Sequence, residues 1–124
     1  MIKVYIPTDK EFNYKQCKRL YKKYRKKISD NSDFKDIVDN TFFYSFFDEE
    51  DFLGCIYFYQ KNDRLYVNAY ATRHHHIKNI ECLKMSLNWF NCDIYAQTSH
   101  KTAILCLLKC GFVRNNKDLF VYRR

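Results

Sequence analysis

Three consecutive histidines, His74, His75 and His76, stand between Arg73 and Lys78. Imidazole is a common metal ligand. Adjacent residues seldom converge on one ion, and no Asp, Glu or Cys lies within four residues of the run to complete a set. Asp93 and His100 could join only through the fold. A solvated loop, or one that holds phosphate, fits this run better than a metal site, so no metal is expected. Six cysteines stand at 17, 55, 82, 92, 106 and 110 without a C-x-x-C pair. Neither a disulfide framework nor a zinc site is expected from that spacing. Cys106 and Cys110 share a helix face, where thiols are usually buried as small hydrophobes. The third chemistry is charge. Lys15, Lys18, Arg19, Lys22, Lys23, Arg25, Lys26 and Lys27 form a dense basic run. With Tyr14, Tyr21 and Tyr24 it could lie along nucleic-acid phosphates. Leu20, Tyr21 and Tyr24 belong to an apolar stripe, however, so a solvated face is the simpler reading.

The elements that must position these residues follow from periodicity. Ile2–Ile6 alternates and is closed by Pro7, which predicts a short strand. Thr8 or Asp9 is placed to cap a helix in which Cys17, Leu20, Tyr21, Tyr24 and Ile28 make one apolar stripe. Phe34, Ile37 and Val38 predict a second, shorter helix. Strands are expected over 41–47 and 53–60, joined by the acidic turn Asp48-Glu49-Glu50-Asp51. Lys61-Asn62-Asp63 is turn chemistry, leading to a strand with Leu65, Val67, Ala69 and Ala71 on one face. Tyr66, Asn68 and Tyr70 take the other face. The histidine loop then enters a helix with Ile80, Leu83, Leu87 and Phe90 on its apolar side. A strand over 92–97, a helix capped by Thr98 or Ser99 and stopped at Gly111, and a closing strand pair around residues 115–118 complete the chain.

The 124 residues fit one domain, 47% hydrophobic and 19% aromatic, which is enough to build a core and excludes wholesale disorder. Two glycines and one proline exclude collagen-like and linker-rich designs. No apolar run approaches the ~20 residues that span a bilayer, and the opening residues lack a secretory signal's apolar stretch. A cytoplasmic protein with no membrane partner is expected. The net charge of +8 favours anionic partners. It is unevenly spread: residues 31–51 hold seven acidic groups and one basic, against ten basic and three acidic in 1–30.

Ala103-Ile104-Leu105-Cys106-Leu107-Leu108-Lys109-Cys110-Gly111-Phe112 is a helix ending at a glycine able to take positive φ, with an aromatic to bury behind it. That run resembles the fourth helix of the GNAT N-acetyltransferases, usually written A-I-x-L-Y-x-K-x-G-F. The order β-α-α-β-β-β-α-β-α-β-β resembles the same fold. The resemblance implies an α/β domain over residues 1–124, a mixed and mainly antiparallel sheet flanked by helices. The family's phosphate loop, R/Q-x-x-G-x-G/A, corresponds to Arg73–Lys78, with His76 and Lys78 in place of both glycines. Leu107 stands where the family commonly has a tyrosine that protonates the leaving thiolate. The glycine-poor loop and missing tyrosine are similar to GNAT-like proteins of short-tailed bacteriophages, some of them virion components.

What the resemblance implies for function is acetyl transfer from acetyl-coenzyme A to an amine on a small molecule or protein, with an acidic substrate suited to the basic helix. The strands at 65–71 and 92–97 would be parallel and splay apart to admit the cofactor's pantetheine arm. Cofactor contacts would come from Tyr70, Ala71 and Thr72, then Arg73, His74, His75, His76, Ile77 and Lys78. The candidate acid and base are Tyr95 and His100, with Asn68 as an orienting group. A catalytically silent binding module, as a virion component or an inhibitor of a host protein, is the alternative. Nucleic-acid binding through the basic helix ranks third.

Overall fold

The structure is a computed structural model that describes residues 1–26, 31–73 and 75–124. Ile28 and His74 lie outside the described residues. Seven strands form one sheet: β1 (Ile2–Tyr5), β2 (Phe42–Asp48), β3 (Asp51–Lys61), β4 (Arg64–Ala71), β5 (Ile94–Gln97), β6 (Val113–Asn116) and β7 (Leu119–Tyr122). Their spatial order is β1-β2-β3-β4-β5-β7-β6. Every neighbouring pair is antiparallel except β4 and β5. The expected α/β architecture and element order are those observed.

Side-chain alternation divides the core in two. Leu65, Val67 and Ile56 point to the face covered by α3 (His76–Leu87) and α4 (Lys101–Lys109). Cys55, Tyr57 and Tyr70 point to the other, covered by α1 (Tyr14–Tyr24) and α2 (Phe34–Asn40). Phe34, Ile37 and Val38 are buried there, as their spacing predicts. Aromatic packing dominates this side: Phe43 stacks on Tyr57 at 5.7 Å, and Phe34 sits edge-on to Phe43 at 5.6 Å.

Local chemistry sets the boundaries. Asn62 and Asp63 both take positive φ (52° and 62°), the two-residue turn that matches strand twist. Gly111 stops α4 at φ 101°. α1 begins later than the sequence predicts. Asp9 does not cap it, because its Oδ2 accepts the Ile6 N–H at 2.8 Å and holds a turn behind Pro7 instead. Asn13 takes the cap position, and its Oδ1 accepts from Ser45 Oγ at 2.6 Å and Cys17 Sγ at 3.4 Å. At the start of α4 the cap position is held by His100, not Thr98 or Ser99; Thr98 Oγ1 accepts the His100 N–H at 3.2 Å. Phe90 lies beyond the end of α3 and packs on Phe58 at 4.4 Å. The cysteines are all free: Cys17, Cys55, Cys82 and Cys110 buried, Cys106 half-buried, Cys92 exposed. No helix among the described residues is long and apolar enough to cross a membrane.

Candidate active site

β4 and β5 pair at only two rungs, Leu65 with Ile94 and Tyr66 with Tyr95. Beyond Tyr66, β5 continues beside β7, while β4 runs on to Ala71 with no strand on that edge among the described residues. Two irregularities of the sheet lie close by. β2 carries a bulge between Phe46 and Phe47, which increases local twist. Opposite it, Gly54 brings β3 within van der Waals limits of β4: a Cβ on Gly54 would lie 2.5 Å from the Tyr70 carbonyl oxygen. Ala69, in mid-strand, pairs with Ile56 of β3 but has no β5 partner on its other side, and it is exposed.

The split opens a cleft of about 510 Å³ at the carboxyl ends of the two parallel strands. That is where ligands enter open α/β sheets. One wall is β4 from Val67 to Ala71; the other is Gln97, Thr98 and the first turns of α4. Phe46, Leu53, Ile56 and Leu83 make an apolar floor. Arg73, His76, His100 and Lys101 border it, and no Asp or Glu is among the described residues that line it. A cleft with cationic borders and an apolar floor suits a long ligand with a phosphorylated end.

The sequence-predicted residues divide on this geometry. Asn68, Tyr70, Ala71, Thr72, Arg73, His76 and His100 line the cleft. Tyr70 contributes backbone, since its ring is buried beside α1 and its hydroxyl donates to the Cys17 carbonyl at 2.9 Å. Thr72 is tied to β3: its N–H donates to the Leu53 carbonyl at 2.9 Å. Asn68 Oδ1 accepts the Ala69 N–H at 3.1 Å. His75, a predicted cofactor contact, does not line the cleft; it is the cap residue of α3 and supplies no side-chain cap bond, and the first amides of a helix have no partner within it.

Four of the residues singled out from the sequence lie elsewhere. Tyr95 does not line the cleft: its ring packs on Tyr66 at 5.8 Å, under the Arg64 guanidinium at 4.5 Å, on the opposite face at the closed end of the split. Period-two alternation sends it away from Ile94 and Ala96. Lys78 turns to Asp48, 3.7 Å away, and Ile77 is exposed outside the cleft. Asp93 faces the chain terminus, accepting from Arg124 N at 2.9 Å, and does not join His100.

Other lining residues escaped the sequence reading. Tyr24, Thr102, Cys82 and Cys106 all border the cleft. Thr102 and Cys106, four apart on α4, carry the signal that could have found them. Burial pushes the Cys82 thiol up to about 12 and raises Cys106, so both are held as neutral thiols, which are poor nucleophiles. Leu107 is buried against the floor and offers no proton.

No family model and no curated protein sequence matches the chain. Solved structures do. An N-acetyltransferase from Staphylococcus aureus Mu50 superposes with a TM-score of 0.73 at 13% identity, over 99% of this chain and 97% of that one. An IAA acetyltransferase from Bacillus cereus ATCC 14579 gives 0.61 at 11% identity, over 94% and 79%. At that identity the likeness establishes the fold, and the fold is the one found in these acetyltransferases.

Proposed function

We propose that the chain is an acyltransferase that moves an acetyl group from acetyl-coenzyme A to an amine. The observation that carries this reading is the split between β4 and β5, with a helix N-terminus at one end of the cleft and a free strand edge along its wall. The backbone of Ala69–Ala71 would hold the amide-bearing arm as an added strand would. The first amides of α3, with Arg73 and His76, would hold the pyrophosphate. When bound, the cofactor supplies an acyl group already activated as a thioester.

The chain's own residues then have limited tasks. His100, exposed at the mouth, takes the proton that the amine must lose. Asn68 orients the amine from the β4 wall. The apolar floor keeps water from the thioester. Neither Leu107 nor Tyr95 gives a proton to the departing sulfur, so that proton comes from solvent. Leu107 also favours a second reading, a binding module that holds the cofactor or a partner without turnover.

Thermal melting with acetyl-coenzyme A, followed by free-thiol release with a panel of primary amines, separates these readings. Saturation near 100 times the dissociation constant stabilises by about 2.7 kcal/mol, or about 10 °C for a chain of this length. Arg73→Ala is expected to reduce the shift, and His100→Ala to keep the shift and lose thiol release. A shift without release for any amine supports the second reading. No shift overturns the transferase.

A further inference from the structure

α1 buries one face and offers the other. Cys17 and Tyr21 are in the core, with Leu20 and Tyr24 half-buried beside them. Opposite lie Lys15, Lys18, Arg19, Lys22 and Lys23, continued by Lys26 just past the helix, all exposed. The spacing i, i+3, i+4, i+7, i+8, i+11 makes them one continuous stripe, about 12 Å long from Lys15 to Lys23. None of the six has a carboxylate partner among the described residues. Like charges four apart destabilise a helix, so the stripe works against α1 unless something anionic covers it.

Two observations narrow what that is. Arg19 and Lys23 flank a shallow depression of about 280 Å³ whose floor is Leu20 and Phe52. It has room for an apolar side chain between two cations. On the neighbouring helix α2, which meets α1 through Phe34 and Tyr21 at 5.6 Å, Asp33, Asp36 and Asp39 are exposed. Of these, Asp39 is paired with Lys35 at 3.0 Å, and exposed carboxylates on the adjoining helix disfavour a run of phosphates laid across both helices. A bilayer would be held by charge alone, since α1 keeps its apolar face in the core, and it would leave the depression between Arg19 and Lys23 unfilled.

We infer that the outer face of α1 is a docking site for an acidic polypeptide segment with an apolar side chain beside its carboxylates, the side chain seated between Arg19 and Lys23. The site adjoins the cleft, because Tyr24 lines the cleft and Lys23 Nζ lies 5.5 Å from the Tyr24 ring centroid. It does not depend on acetyl transfer.

The test is fluorescence anisotropy at low salt with a labelled peptide carrying glutamates on both sides of a central phenylalanine. Charge reversal at Arg19 and Lys23 together (Arg19→Glu, Lys23→Glu) is expected to weaken binding about 30-fold. Replacing the probe's phenylalanine with alanine should cost about 10-fold. The same charge change placed elsewhere, Lys61→Glu with Lys84→Glu, should cost less than about 3-fold. Circular dichroism melts of both double variants establish that each is folded. No binding of the probe, or equal loss in the two double variants, overturns the site. So does tighter binding of duplex DNA or phosphatidylserine vesicles through the same two residues.

Discussion

Gly54→Ala tests how the cleft is built. Gly54 has φ 150° and pairs with Ala71 across the β3–β4 rung. An added Cβ would stand 2.5 Å from the Tyr70 carbonyl oxygen, 2.7 Å from Ala71 Cα and 3.0 Å from Ala71 Cβ. Two of those three are backbone atoms of a strand held on its other face by Tyr70, so no flexible side chain can yield. Backbone strain contributes about 1–3 kcal/mol and overpacking about the same, near 4 kcal/mol together. Unfolding entropy of about 2.1 cal/mol/K per residue gives about 0.26 kcal/mol/K for this length, so Tm should fall by about 15 °C. Calorimetry or circular dichroism reads it directly. Gly111→Ala is the control: φ is 101°, but the new Cβ would meet only the Tyr122 ring at 3.3 Å. Strain alone, about 2 kcal/mol, predicts a loss of about 8 °C. A Gly54→Ala protein within about 3 °C of the parent, or no worse than Gly111→Ala, would refute the claim that β3 and β4 must touch there.

Tyr70→Phe removes the 2.9 Å bond that the hydroxyl adds to the Cys17 carbonyl, which keeps its helical partner, and should cost about 1 kcal/mol in denaturant unfolding, with the cleft's shape retained because the residue 70 ring is buried beside α1. In the folded protein a thiol reagent should modify Cys92 first, with Cys106 slower, and Cys92→Ser should remove the fast phase. Burial raises Cys82 to about 12 and Cys110 to about 11 from an ordinary 9.0. The folded chain therefore keeps protons that the unfolded chain releases, so this stability is full below about 9 and is lost as pH rises towards 11 and 12. Tm should decline over that range, and less steeply when both residues are serine.

Much of the architecture was legible in the chain. Short-range patterns carry their own physics: the alternation at Leu65–Tyr70 assigns faces, Asn62-Asp63 turns a hairpin, and Gly111 ends a helix. The run Ala103–Phe112 and the element order were enough to indicate the fold. His76 and His100 came to the cleft because each sits at the start of a helix that follows a parallel strand. What the chain could not disclose depends on contacts between distant residues. Asp9 has the chemistry of a cap, but Ile6 N–H claims it first. Lys78 looks like a phosphate ligand until Asp48, thirty residues away, draws it aside. Tyr95 and Thr98 differ by three positions, yet only Thr98 faces the cleft, since the open end of the split begins where β4 and β5 part after Tyr66. Periodicity determines which face a side chain takes. Where two strands separate depends on the twist of the whole sheet, and the bulge at Phe46–Phe47 and the close approach at Gly54 likewise arise only between strands already paired.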